Sequence, residues 1–384
     1  MLRKPPLLVR ELCAQKITRV ATSLCASLCT WAVAPPAIGA LPNYNVQILD
    51  VPGWSQFLPS GISDNGTIVG TGTSFQGAEH ALALQGSAVI DLHISGYSST
   101  SGAAVNDSFQ VVGAGNPPGV AAGGPTVALF WDSGLATSFP RVAGSTRGTN
   151  VNESGMVLMQ EERGGSAAGF AGNGLVRWIT PTETGTGLSF QSTAAGGINE
   201  QGIAVISGWG AFQSPAAFLW EPLVDPNALT ELAGLIRAND INDAGQVAGE
   251  TRETPGPYLK ATRWDGPGQL VDLHQPDWFQ SEARAINNSG VVAGGFTTTA
   301  LVGGPDVQHA ALWDTDGEIV DLHQDGWEAS WVYDLNNGGL AVGVSVLANG
   351  TWVGFLATPV PEPSSVVLLA STLGLIALRP GRSP

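Results

Sequence analysis

One ten-residue phrase recurs seven times and limits what this chain can become. The copies read GISDNGTIVG (61–70), AVNDSFQVVG (104–113), NVNESGMVLM (150–159), GINEQGIAVI (197–206), DINDAGQVAG (240–249), AINNSGVVAG (285–294) and DLNNGGLAVG (334–343). Measured between Ile62, Val105, Val151, Ile198, Ile241, Ile286 and Leu335, the steps are 43, 46, 47, 43, 45 and 49 residues. A period near 45 marks a repeat architecture in which each unit is one supersecondary element. Within a copy, an apolar residue precedes Asn (Ser63 in the first). Two variable residues follow, then usually Gly, then a β-branched run. That order predicts strand, tight turn, strand. Asn and Asp hydrogen-bond their own turn backbone, and Gly supplies the left-handed position of a bulged hairpin.

Two further phrases complete the unit. One is a strand ending in Trp: VALFW (127–131), LVRW (175–178), AAFLW ending at Trp220, KATRW (260–264) and HAALW (309–313), with HALAL (80–84) and WVGFL (352–356) as degenerate forms. The other is VIDLH (89–93), LTEL (229–232), LVDLH (270–274) and IVDLH (319–323). Four short strands in a 40–50-residue unit describe a propeller blade. The expected fold is therefore an all-β propeller of seven four-stranded blades. The last unit shows no Asp-Leu strand after 352–357, whereas Tyr44–Val51 resembles one. The N-terminal strand is expected to complete the last blade and close the ring, which removes a free sheet edge.

Residues 1–40 read differently. Arg3, Lys4, Arg10, Lys16 and Arg19 precede an apolar run from Val20 to Ala34 and small residues up to Ala40. This is the pattern of a secretory signal peptide. Cys13, Cys25 and Cys29 all lie in it, so a processed chain would have neither a disulfide framework nor a thiol nucleophile. Residues 41–360 hold 30 acidic residues (32 less Glu11 and Glu362) against nine basic ones, a formal balance of −21. Such a surface repels phosphate backbones and argues against nucleic-acid binding.

At the other end, VPEPSS (360–365) is followed by thirteen mostly apolar residues, Val366–Leu378, and then by Arg379 and Arg382. Thirteen residues fall short of the roughly 20 needed for a stable span. With Pro361, Glu362 and Pro363 as its motif and Arg379 and Arg382 as its basic end, this tail resembles the PEP-CTERM sorting signal of Gram-negative bacteria. The resemblance implies processing by an exosortase-type peptidase, transient membrane association through the tail, and release to the cell surface or extracellular matrix. The repeats, over roughly 44–358, resemble the HAF family of extracellular repeats. His80-Ala81, His309-Ala310, Ala217-Phe218-Leu219-Trp220, the Asp-Leu pairs and the Ile-Asn-x-x-Gly turns carry that likeness. It implies a β-propeller and leaves function open. The expected organisation is a signal peptide over 1–40, a repeat propeller over 41–358 and a sorting tail over 359–384.

No Gly-x-Ser-x-Gly elbow, P-loop, dinucleotide fingerprint or His-Glu-x-x-His occurs. His80 and His309 repeat in one phrase and His93, His274 and His323 in another, which favours a structural role. Asp314, Asp316 and Glu318 space their carboxylates like part of a calcium loop, but a plain turn accounts for them. No cofactor is expected, with calcium the one weak possibility. Antiparallel strands sort the loops onto two ends. The end with the variable 2–3 loops and the 4–1 connections carries Trp54, Tyr97, Trp278 and Trp327 after the Asp of the fourth strand, plus Trp209 from a 2–3 loop. Rings at a rim can stack on sugars or anchor a protein; they can equally wedge between blades. Three function classes follow: a non-enzymatic surface or matrix protein binding exopolysaccharide or a matrix protein, a carbohydrate-active hydrolase or lyase, and a purely structural matrix component.

Overall fold

The computed structural model describes residues 41–139, 144–162, 167–172, 175–179, 192–209, 215–225, 227–252, 258–298 and 307–360. The signal-peptide and sorting-tail readings lie outside these residues. Twenty-eight strands form seven four-stranded antiparallel sheets. Blade 1 holds β2 (Gln56–Ile62), β3 (Ile68–Thr73), β4 (Glu79–Gln85) and β5 (Ala88–Asp91), and blade 2 holds β6 (Ser99–Val105), β7 (Val111–Asn116), β8 (Val127–Asp132) and β9 (Leu135–Ser138). Blade 3 is β10 (Ser145–Val151), β11 (Val157–Glu162), β12 (Ala167–Gly172) and β13 (Leu175–Ile179), and blade 4 is β14 (Ser192–Ile198), β15 (Ala204–Trp209), β16 (Ala216–Trp220) and β17 (Leu229–Glu231). Blade 5 comprises β18 (Arg237–Ile241), β19 (Val247–Arg252), β20 (Leu259–Gly266) and β21 (Gln269–Asp272), followed by blade 6 with β22 (Trp278–Ile286), β23 (Val292–Thr298), β24 (Val307–Trp313) and β25 (Ile319–Asp321). Blade 7 has β26 (Trp327–Leu335), β27 (Ala341–Leu347), β28 (Trp352–Pro359) and, as its outer strand, β1 (Tyr44–Ile48). The register of that closure runs from Tyr44 opposite Pro359 to Ile48 opposite Phe355. The seven-bladed, N-terminally closed propeller read from the repeats is the fold of the protein.

Each blade buries its apolar face against the next, and seven clusters of buried side chains occupy the seven blade interfaces. Met156, Leu158 and Phe170 of blade 3 meet Ile198, Ala204, Ile206 and Trp220 of blade 4. Val342 of blade 7 meets Phe57, Ile62, Ile68 and Leu82 of blade 1. The first strand of every blade lies innermost and carries a register irregularity at the same place, for example between Pro59 and Gly61, Gly102 and Ala104, or Val332 and Asp334. A bulge raises local twist and bends the inner strand around the axis. It also explains the Gly that ends most copies of the phrase. A Cβ on Gly70, Gly113, Gly249, Gly294 or Gly343 would strike the carbonyl oxygen of Leu58, Ser101, Arg237, Glu282 or Trp331 across the bulge. In blades 3 and 4 the position is filled by Met159 and Ile206, both wholly buried.

One strand differs from the sequence reading. LVRW in unit 3 falls in β13, the fourth strand, whereas the third is β12. Ala171 lies opposite Val157, where Trp131 of blade 2 lies opposite Val111. Trp178 pairs with Gly169, and a side chain on Gly169 would collide with the Trp178 ring. Blade 3 thus takes its tryptophan from the outer strand, with glycine beneath it making room.

Candidate functional site: the two ends of the channel

The turn end of the channel is built from the Asn-x-x-Gly hairpins. Gly66, Gly155, Gly202, Gly245, Gly290 and Gly339 take positive φ, as does Phe109 in unit 2 (φ 60°). Each residue of this set donates its N–H to the carbonyl three residues back, such as Gly245 to Asn242 at 3.0 Å. The Asn side chain fixes the turn from within: its Oδ1 accepts the N–H four residues on, as from Gln246 to Asn242 (2.9 Å) and Val291 to Asn287 (3.1 Å).

The same Asn makes a second bond that the turn does not require. Asn106 Nδ2 donates to Asn152 O (2.9 Å), Asn152 to Asn199 O (2.9 Å), Asn199 to Asn242 O (3.2 Å), Asn242 to Asn287 O (2.9 Å), Asn287 to Asn336 O (3.2 Å) and Asn336 to Ser63 O (2.9 Å). These asparagines are buried, and every bond crosses one blade boundary. Ser63 is too short to continue the wheel. There Asn65 substitutes, donating its N–H to Asp107 Oδ1 (2.7 Å) and Nδ2 to Asp107 O (3.0 Å).

A second ring lies one residue on. Asp107 N–H donates to the Glu153 carboxylate (3.0 Å), Glu153 N–H to Glu200 (2.7 Å), Glu200 N–H to Asp243 (2.9 Å), Asp243 N–H to Asn288 Oδ1 (2.9 Å), Asn288 N–H to Asn337 Oδ1 (2.7 Å) and Asn337 N–H to Asp64 (2.7 Å). Below both rings, Asp240 accepts from Ile286 N–H (2.9 Å) and Asp334 from Ile62 N–H (2.8 Å). Burial pushes the Asp240 carboxyl up to about 7 and that of Asp334 up to about 6, against the backbone donors that favour the charged forms. Glu153 is also held above the usual carboxylate range, first by burial and then by Asp107, Glu200 and Asp64. Inner-strand ends of all seven blades line a cavity of about 210 Å³ here. Its polar groups are spent on holding one blade to the next. Among the described residues no group of three or more His, Cys, Asp or Glu is placed to hold a metal ion. At the 3–4 turn, Asp314 caps its own loop by accepting from Asp316 and Glu318 N–H (2.9 Å each).

The loop end is organised by histidine and aromatic side chains. In blade 6, His309 Nδ1 bonds Asp321 Oδ2 (2.8 Å) and its ring stacks on His323 at 4.2 Å. His323 Nδ1 lies 2.9 Å from Ser330 Oγ, which already accepts Ala310 N–H (2.9 Å). Ser330 Oγ thus joins the Ala310 backbone of blade 6 and the His323 ring to the first strand of blade 7. Burial, then the neighbouring His309, keep His323 below the ordinary histidine value. Blade 1 repeats the device: His80 bonds Asp91 (2.9 Å), stacks on His93 at 3.8 Å, and His93 meets Thr100 Oγ1 (3.0 Å), which accepts Ala81 N–H (3.0 Å). His274 does the same with Ser281 (2.9 Å). Each set ties one blade to the first strand of the next.

All five aromatic residues singled out in the sequence lie at this end. Four of them end a reverse turn whose N–H returns to the residue three back: Trp54 to Val51, Tyr97 to Ile94, Trp278 to Gln275 and Trp327 to Gln324. The turn folds the ring back over the blade. Trp278 is 9% exposed, stacks on Phe296 at 4.1 Å and meets Trp313 edge-on at 6.3 Å. Trp54 packs edge-on to His80 (5.2 Å), Trp327 lies 5.4 Å from Phe355, and Tyr97 joins the core between blades 1 and 2. Trp209 instead carries the Arg237 guanidinium 5.7 Å from its ring centre.

Trp54, Tyr97, Trp209 and Trp327 are half-buried, and the rings most open to solvent are others. Phe75 (72% exposed) sits in the β3–β4 loop, Tyr258 next to the start of β20, Trp352 (43% exposed) at the start of β28, and Tyr333 on the inner strand β26. Trp352 stacks on Trp331 at 5.5 Å with planes 6° apart, and Tyr258 rests on Phe279 at 4.2 Å. Every exposed large aromatic among the described residues is thus at the loop end or on the channel wall. The exposed aliphatics Leu135, Leu223, Val224 and Leu270 lie elsewhere, on outer strands or turns. Sequence reasoning missed these rings because WVGFL reads as a third strand and Tyr258 as part of a variable loop. Their signal was an aromatic bordering a 2–3 loop.

These features define a seven-bladed β-propeller with one end ringed by blade-to-blade hydrogen bonds and one end bearing exposed rings. Among solved structures it is similar to the β-propeller domain of the Trilobed protease from Pyrococcus furiosus, described as having an open velcro topology. That likeness has 12% identity and a TM-score of 0.51, over 79% of this chain and 94% of that one. It is also similar to the acylaminoacyl peptidase of Pyrococcus horikoshii, with 13% identity and a TM-score of 0.52, over 84% of this chain and 55% of that one. At such identities the likeness concerns the fold alone. No family model matches the chain, and no curated protein matches it.

Proposed function

We propose that this chain is an exported, non-enzymatic protein of the cell surface or extracellular matrix that holds polysaccharide, or a protein embedded in it, through the loop end of its propeller. One observation carries the reading: the exposed aromatic side chains gather at the loop end and the channel wall. Flat rings present hydrophobic area with little conformational entropy to lose, which suits stacking on sugars and anchoring partners. The leader-like residues 1–40, the tail that resembles a PEP-CTERM signal and the resemblance of the repeats to HAF-type units support export and processing by an exosortase-type peptidase. On this reading the balance of −21 over 41–360 keeps the secreted domain soluble in a crowded matrix.

The test is retention of the purified, secreted chain on immobilised exopolysaccharide from the producing cells. Retention that weakens with Trp352→Ala, by about 1–3 kcal/mol, supports the reading. Absence of retention on both the polysaccharide and the protein fraction of the matrix refutes it. Release of reducing ends from the polymer would turn it into a hydrolase.

A further inference from the structure

The inner wall of the channel is unequal around the ring. Two positions of each inner strand, five and three residues before the turn Asn or Ser63, are equivalent in all seven blades. In blades 1, 2 and 4 they hold Leu58 and Ser60, Ser101 and Ala103, and Ala194 and Gly196. Blade 3 has Arg147 and Thr149. Blades 5, 6 and 7, which are neighbours, hold Arg237 and Asn239, Glu282 and Arg284, and Trp331 and Tyr333. A repeat scaffold has no structural need for large polar and aromatic side chains at both positions of three adjacent blades, where no other blade places two large side chains. Local departure from a repeating pattern is where function is expected.

These side chains are ordered against one another. Arg284 donates Nε to Glu282 Oε1 (2.9 Å), and its guanidinium stands 4.9 Å over the Tyr333 ring. Arg237 meets the buried Glu250 at 3.4 Å and faces Trp209. Asn239 Nδ2 reaches both Glu250 (3.4 Å) and Ala283 O (2.6 Å). Tyr333 is 37% exposed, and Glu282 and Arg284 keep 26% and 30% of their side-chain surface open. Two arginines balanced by two glutamates leave the crescent formally neutral. Such a wall has little to offer a charged group, whose counter-ion would already be taken. It offers donors and acceptors held rigidly beside aromatic faces, while blades 2 and 4 present only Ser101, Ala103, Ala194 and Gly196 at these positions.

We infer that this crescent of blades 5–7 is a binding subsite for neutral hexopyranose units of a polysaccharide. Sugar C–H faces would lie on Tyr333 and Trp331, and vicinal hydroxyls would bond Glu282 and Arg284. The inference rests on the reading that the propeller holds glycan through its loop end; it extends that reading down the inner wall, where Tyr333 stands next to Asp334, and names the ligand class.

The experiment titrates the full secreted chain with cellohexaose, laminarihexaose and maltohexaose, with hexaguluronate as the charged probe, following tryptophan fluorescence and calorimetric heat. At least one neutral hexasaccharide should bind, and more tightly than hexaguluronate. Tyr333→Ala should weaken that binding at least about tenfold. Glu282→Gln, which keeps the side-chain shape, should weaken it several-fold with an unchanged melt. Leu135→Ala, on an outer strand, should change nothing. If the chain is retained on matrix polymer yet binds no neutral hexasaccharide, or binds one equally well in Tyr333→Ala and Glu282→Gln, the subsite is wrong and the broader reading stands. Loss of matrix retention in the unaltered chain would remove both.

Discussion

The two ends of the channel use polar and aromatic side chains in opposite ways. At the turn end, buried asparagines and a second ring of carboxylates and amides direct their bonds at the neighbouring blade. The cavity there is polar, yet its groups have partners within the protein. At the loop end, the histidine pairs and the Trp278 and Trp327 rings also hold blades together, but they leave a further set of rings facing solvent. On the proposed reading, repetition separates scaffold from binding site. The asparagine wheel occupies six of seven equivalent positions and serves the scaffold, whereas Trp331, Tyr333, Arg284 and Trp352 have no counterparts in most blades.

Several substitutions would break or sharpen this contrast. Removing residues 41–48 takes away β1 and exposes the outer edge of β28; stability measured by chemical denaturation should fall by roughly 5 kcal/mol, with both ends affected alike. A truncated chain of unchanged stability would mean that the pairing of Tyr44–Ile48 with β28 is dispensable. Trp278→Ala, at the loop end but inside the interface of blades 5 and 6, should cost roughly 4 kcal/mol and spare binding in the protein that still folds. A binding defect without destabilisation would move Trp278 into the site.

The turn end should also register in the pH profile. Asp240 and Asp334 bind protons more tightly in the folded chain than their ordinary value of 3.8 allows. Between about 4 and 7 the folded state therefore holds more protons than the unfolded one, and stability contributed by these groups falls as pH rises. Asp240→Asn should flatten that slope, with the gain in melting temperature largest above pH 7. The histidine pairs act in the other direction: His93 and His323 are lowered by burial and by their stacked partners, so their contribution is lost as pH falls through the ordinary histidine range. A variant as steep as the parent between pH 4 and 7 would show that Asp240 is ionised throughout. The smallest expected effect is at the gap in the wheel. Ser63→Asn should place an Nδ2 within reach of Asn106 O and raise stability by about 1 kcal/mol; a loss would show that Asn65 already closes the ring better than asparagine at 63 can.

Much of this fold was legible before any coordinates. The seven phrases fix the blade count, and Tyr44–Val51 announces its place in the last blade because it supplies the one strand type the seventh unit lacks. What stayed hidden involves partners a full repeat away. A turn explains Asn242 completely within four residues, so nothing local hints at its bond to Asn287 O, 45 residues on. The bulge is likewise invisible, although the closing Gly of the phrase was its trace. The 4–1 aromatics lie at the end read for them, but the Asp277-Trp278 pair does not reveal that its ring is buried between blades 5 and 6. Trp178 misled because a tryptophan in the fourth strand and one in the third look the same when both strands are short and unmarked by other residues.

One crossed measurement separates the two ends: stability and glycan binding of Asn242→Ala and Trp352→Ala made side by side. Asn242→Ala leaves Asn287 O with the Gly290 N–H alone and strips Gln246 N–H of its acceptor, which should cost about 2–4 kcal/mol while the surviving folded protein binds as the parent does. Trp352→Ala should leave the melt within about 0.5 kcal/mol of the parent, as surface changes do, and weaken binding by about 1–3 kcal/mol. The reverse pattern, with binding lost on removal of Asn242 and kept on removal of Trp352, would put the site at the turn end and contradict the division proposed for the two ends.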